Sequence, residues 1–192
     1  LFNSESVSID LGFSFGLPVK GDNRAREDMP DLHLSGQIGP RLNWFISEPA
    51  DGPQISFHLP VRHARDIKNN SQGWVVEPSI KIEQRNIGSE SRYSARFDAG
   101  LLYANKQYHD YYYEVEPEFA TTGRPAYETD SGLSNFFLGV SGSYKISKRL
   151  RLSGFLRWKT LSPGVVDDSP LVTDESYFAA GIGMNWVFKT SE

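Results

Sequence analysis

The chain has 192 residues, a formal net charge of −4 and no cysteine. That length fits one domain with a sizeable core, while disulfides and thiolate metal sites are excluded and the mixed charge leaves no basic footprint for nucleic acid. No run of about 18 apolar residues occurs, so no segment reads as a transmembrane helix, but barrel strands expose only every second residue to lipid and keep a low mean hydropathy.

The dominant pattern has period two, the signature of strands with two different faces. Val7, Ile9, Leu11, Phe13, Phe15 and Leu17 alternate with Ser8, Asp10, Gly12, Ser14 and Gly16. The second segment sets Leu34, Ile38, Leu42, Trp44 and Ile46 against polar or small residues, and a shorter third runs from Ile55 to Val61. The fourth carries Trp74, Val76, Ile80 and Ile82 against Glu77, Lys81 and Glu83; the fifth carries Tyr93, Phe97, Leu101 and Tyr103 against Arg96 and Asp98. The sixth spans Phe136–Ile146, the seventh Leu150–Trp158 with Arg151, Arg157 and Lys159 on its polar side, and the eighth Phe178–Phe188. Most are about 10–14 residues long, the length that crosses a bilayer at a tilt.

The connections alternate in length. Residues 18–33, 106–131 and 162–175 are long and 62–73 intermediate; 47–53, 86–91 and 147–149 are short. Outer-membrane barrels have short periplasmic turns and long extracellular loops, which puts both chain ends in the periplasm. Trp44, Tyr93, Tyr144, Trp186 and Phe188 then belong to one aromatic girdle, and Trp74, Tyr103, Phe136 and Trp158 to the other. The predicted fold is all-β: an antiparallel up-and-down transmembrane barrel, one domain over 1–192, with eight strands visible. Its polar face is read as the lumen, lined by Glu77, Lys81, Glu83, Arg96, Asp98, Arg151, Arg157 and Lys159. A soluble barrel with the apolar set inside is the alternative, but it gives no reason for four Trp on the apolar side.

Loop motifs in the second half carry a family resemblance. They are Tyr111-Tyr112-Tyr113-Glu114-Val115, Gly123-Arg124-Pro125-Ala126-Tyr127 and Asp167-Asp168-Ser169-Pro170-Leu171-Val172, followed by the strand ending Trp186-Val187-Phe188. Over about residues 100–188 the chain resembles the MipA/OmpV family, named for the MltA-interacting protein. The resemblance implies a Gram-negative outer-membrane protein made with a signal peptide. It also implies a non-enzymatic scaffold joining a lytic transglycosylase to a murein synthase in peptidoglycan turnover, or alternatively a small porin-like channel or adhesive surface protein. Family barrels are longer at the N-terminus, so N-terminal strands are expected to be missing. Glu114 and the run Pro163–Asp168 depart from the family pattern within the loops.

Candidate chemistry is sparse. His109-Asp110 are neighbours that point apart on an extended chain, which favours a solvated loop pair over a catalytic one. His33, His58, His63 and His109 show no ligand spacing, and Gly88 starts no phosphate loop because no helix follows. The basic seventh strand, with Arg149, Arg151, Arg157 and Lys159, either favours anions in a passage or pairs with Glu77, Glu83 and Asp98; pairing is the favoured reading. Tyr108 and Tyr111–Tyr113 either form an outer binding surface or pack with Phe119 and Tyr127 over the mouth. No catalytic residue, cofactor or metal site is assigned; the outer-membrane lipid is the expected environment. The final Lys189–Glu192 reads as a periplasmic extension.

Overall fold

The computed structural model describes residues 2–16, 24–47, 52–87 and 92–188. One antiparallel sheet contains β1 Phe2–Asn3, β2 Val7–Gly16, β3 Ser35–Ser47, β4 Gln54–Asp66, β5 Ser71–Val76, β6 Ser79–Ile87, β7 Tyr93–Ala104, β8 Gly132–Lys145, β9 Leu150–Thr160 and β10 Ser176–Trp186. β5 and β6 are two halves of one stave. β4 meets β5 through Val61–Arg65 and β6 through Gln54–His58, and β7 pairs with both. Pro78 supplies no N–H and breaks the ladder between them. Glu77 N donates to Pro60 O and Leu101 N to Pro78 O across the break. The wall therefore has eight long staves in up-and-down order, as the alternation predicts, plus the short β1. Among the described residues β10 pairs only with β9, and β1 only with β2.

Residues 62–73 are a correction to the expected connection. β4 continues to Asp66 and β5 starts at Ser71, which leaves a tight turn. The Asp66 carboxylate closes it, accepting from Lys68 N at 2.9 Å and Asn70 N at 2.8 Å. The alternation was blurred because His63 and Arg65 occupy outer-face positions at this rim, where they reach Ser71 and Asn69. Pro49, Asp51, Gly88 and the 189–192 tail lie outside the described residues.

Register sorts the two faces. One row runs Ala99, Leu138, Trp158, Phe178 and the next Phe97, Val140, Leu156, Ala180. That face is apolar and open: Phe13 is 62% and Ile182 86% exposed. An apolar sheet face of this extent is unstable against water and suited to lipid. The opposite face carries the polar rows, for example Lys81 opposite Asp98 and Glu83 opposite Arg96. Its buried part lies near the loop end, where Val75, Leu102 and Ala104 pack with Tyr108.

Leu138 lies near the middle of β8 on the apolar face. Leu138→Arg is expected to destabilise the wall by about 2–4 kcal/mol, the cost of a cation near the bilayer midplane, while Ser141→Arg on the other face costs much less. Urea unfolding in lipid vesicles, followed by tryptophan fluorescence, measures both.

Candidate functional site

The long connection after β7 opens with a helix, α1 Lys106–Tyr113. An extended loop was expected there. Asn105 starts the helix: its Oδ1 accepts from Tyr108 N at 3.2 Å and from Trp74 N at 2.9 Å. Gly73 permits this approach. Its φ is +99°, and a Cβ there would stand 2.2 Å from Asn105 Oδ1. One residue thus caps the helix and ties it to the wall.

The tyrosines pack against the inner face. Tyr108 Oη accepts from Gln37 Nε2 at 3.1 Å, and Tyr112 Oη shares a hydrogen bond with Ser35 Oγ at 3.0 Å. His33 N donates to Tyr111 Oη at 2.9 Å. At the helix C-terminal end Ser169 Oγ donates to Tyr113 O at 2.7 Å, and Arg26 Nη1 to Tyr112 O at 3.2 Å. The helix therefore lies across the loop end of the lumen, stitched to β3, β5 and two other loops. Burial pushes the Tyr108 and Tyr113 hydroxyls well above the ordinary phenol range, so both stay neutral donors.

The loop motifs meet around this plug. Arg124 is 9% exposed. Its guanidinium donates to Phe119 O, Ala25 O and Glu27 O, joining the second long loop to the first. Arg124 N donates to Thr121 O and Thr121 N to Arg124 O, so Gly123 and Pro125 belong to the turn that returns the chain. Tyr127 exchanges backbone hydrogen bonds with Val115, and its hydroxyl donates to Val165 O at 3.0 Å. Ser169 is buried, Asp168 stays exposed, and Pro170 borders a cleft of about 270 Å³ beside Arg124.

His109 is a second correction: it is buried and helical rather than solvated. Nδ1 donates to Asp130 O, and Nε2 is buried without a partner. Asp110 accepts from Lys106 Nζ and Thr129 Oγ1, so the two neighbours do point apart.

The lumen charges pair in part. Arg157 donates to Asp98 at 2.8 Å and lies 4.3 Å over the Phe137 ring; Arg96 meets Glu83 at 2.8 Å. Glu77 pairs at 3.1 Å with Arg62, a strand residue that the expected 62–73 connection would place in a loop. Arg41 and Asp10 form a two-point pair at 2.8 and 2.7 Å. The pairing expected for Arg151 and Lys159 is absent: like Lys81, neither has a carboxylate within 4.0 Å among the described residues. Phe137 and Phe155 also face inward, two apolar residues that the alternation does not reveal.

Aromatic residues stand at both ends of the apolar face. At the turn end Tyr93 stacks on Tyr144 at 4.8 Å, Trp186 on Phe188 at 5.2 Å, and Trp44 sits between Val7 and Phe57. At the loop end Trp74 packs on His63 at 4.7 Å, and Tyr103 and Trp158 stand at the corresponding ends of β7 and β9.

Two tests follow from this geometry. Arg62→Ala removes the cation facing Glu77 and the donor to Gln37 Oε1 at a buried site and is expected to cost about 3–5 kcal/mol, against about 1 kcal/mol or less for Arg96→Ala at a more exposed pair. Denaturant midpoints of the two variants check the contrast. Burial holds the His109 imidazole below its ordinary 6.5. Its stabilising contribution is complete above that value and is lost as pH falls through the lowered one. The protection factors of α1 amides, which normalise exchange to the intrinsic rate at each pH, should therefore fall on acidification, and His109→Gln should remove that step.

The profile of the family described as "MltA-interacting protein MipA" matches residues 1–188, well beyond the motif-bearing half. The chain is also similar to YiaT of Escherichia coli K12, which its name assigns to the outer membrane, at 29% identity over 126 residues. The O157:H7 strain has a YiaT matched equally. The match covers 65% of this chain and 49% of each relative, so the chain spans about half the length of the curated relatives it matches. No solved structure matches. An antiparallel wall with one lipid-suited face and a profile match across nearly its whole length make this chain a member of the MipA family.

Proposed function

We propose that this protein is a non-enzymatic scaffold of the outer membrane that holds murein-turnover enzymes at its periplasmic end. It is an outer-membrane barrel protein of Gram-negative cells; the scaffold role is the further step. The observation that carries it is the plug. α1 is bonded to Ser35, Gln37, Trp74 and Ser169, which makes the loop end a fixed cover rather than an open conduit. The family description supports a lytic transglycosylase as one partner, and the resemblance adds a murein synthase. The non-enzymatic character is part of the proposal and is supported by the family description, which names an interacting protein. The orientation, with short turns in the periplasm, follows from loop lengths.

A second reading is a small porin-like channel. Lys81 and Lys159, inward-facing and without a close carboxylate, favour it. Reconstituting the full-length protein separates the two. A scaffold should capture the transglycosylase from membranes and give no stepwise conductance in planar bilayers. Conductance whose anion preference falls when Lys81 and Lys159 are neutralised, with no enzyme captured, would favour the channel.

A further inference from the structure

At the turn end of the inner face, the described residues of β6–β9 carry more cations than carboxylates. Glu83 is the carboxylate of the described turn-end stretches of β6–β9, and it already holds Arg85 at 2.5 Å and Arg96 at 2.8 Å. The β8–β9 hairpin adds Lys145, Lys148, Arg149 and Arg151. None of these four has a carboxylate within 4.0 Å among the described residues. Arg151 reaches only Ser143 Oγ, at 3.5 Å. Lys145 stands directly opposite Arg151 in the register, an arrangement that costs stability between strands.

Of these cations Arg151 borders a cavity of about 550 Å³, within the range of ligand sites, whose lining also holds the Glu83–Arg96 pair and several Ser and Gly positions. The Phe155 ring lies against Gly181, where a Cβ would stand 2.5 Å from it, and 52% of Phe155 remains exposed. The site thus combines two guanidinium groups with one apolar ring. It lies on the face opposite the lipid-side Tyr93–Tyr144 stack, which separates it from membrane headgroups.

We infer that this vestibule binds an acidic peptide segment of a periplasmic partner protein, with carboxylates on Arg151 and the facing Lys145 and an apolar side chain on Phe155. Lys148 and Arg149 in the adjoining turn raise the local potential and steer the segment inward. The inference rests on the scaffold reading for its periplasmic orientation and supplies a docking site where the turns are too short to offer one.

The test uses the full-length protein in phosphatidylcholine nanodiscs and a fluorescein-labelled polyglutamate peptide, read by anisotropy. Binding at low ionic strength that weakens as salt is raised is expected, with none for polylysine. Lys145→Ser with Arg151→Ser should weaken it tenfold or more, while Arg151→Lys keeps most of it. Heat-modifiable electrophoretic migration verifies that each variant is folded, and Arg151→Gln alone serves if the double variant is not. Absence of polyglutamate binding, unchanged affinity in the variants, or competition by phosphatidylglycerol in the disc overturns the proposal. A variant that loses polyglutamate but still captures the transglycosylase also overturns it and leaves the scaffold reading intact. A wild-type protein that binds polyglutamate with this pattern but captures no enzyme supports the site and sinks the scaffold instead.

Discussion

A strand in hydrocarbon must satisfy every amide within the wall, because lipid offers no partner. The rest of the structure depends on that constraint. It fixes antiparallel pairing between sequence neighbours, and pairing fixes a register in which Leu138, Trp158 and Phe178 share one row while Asp98, Gly139 and Arg157 share another. A slip of one residue would turn charged side chains into lipid. Even the break at Pro78 obeys the rule, since Glu77 N and Leu101 N find carbonyls on either side of it.

The same register that clears one face of charge concentrates it on the other. Where the inner face is crowded, the charges are paired and anchored: Arg62 with Glu77, and Arg157 with Asp98 over Phe137. Towards the loop end the wall is closed by α1, whose tyrosines give the inner face apolar bulk and hydroxyl partners together. Towards the turn end no such element lies over the inner face among the described residues, and the cations of the β8–β9 hairpin have no carboxylate partner among them. The two ends of one lumen are therefore chemically different: one neutral and packed, the other open and basic.

The loops do more than connect staves. Arg124 bridges the second long loop to the first, Ser169 holds the end of α1 from the last, and Tyr127 reaches Val165. The motif residues that carried the family resemblance are thus mostly packing residues of the plug. This explains why such specific side chains sit in segments that otherwise look like surface loops.

The sequence by itself determined the number of staves and the two faces, because a period-two pattern is a local property that each strand writes out alone. It lost the end of β4, where His63 and Arg65 interrupt the apolar set at the rim. Tertiary structure alone decided the plug and the charge partners. α1 has three adjacent tyrosines and no strong amphipathic stripe, and it forms because Asn105 and Gly73 meet from distant positions. Likewise, Arg157 finds Asp98 while Arg151 finds no carboxylate among the described residues. The two are six positions apart on one strand with the same inward alternation, and only the residues opposite them in neighbouring staves differ.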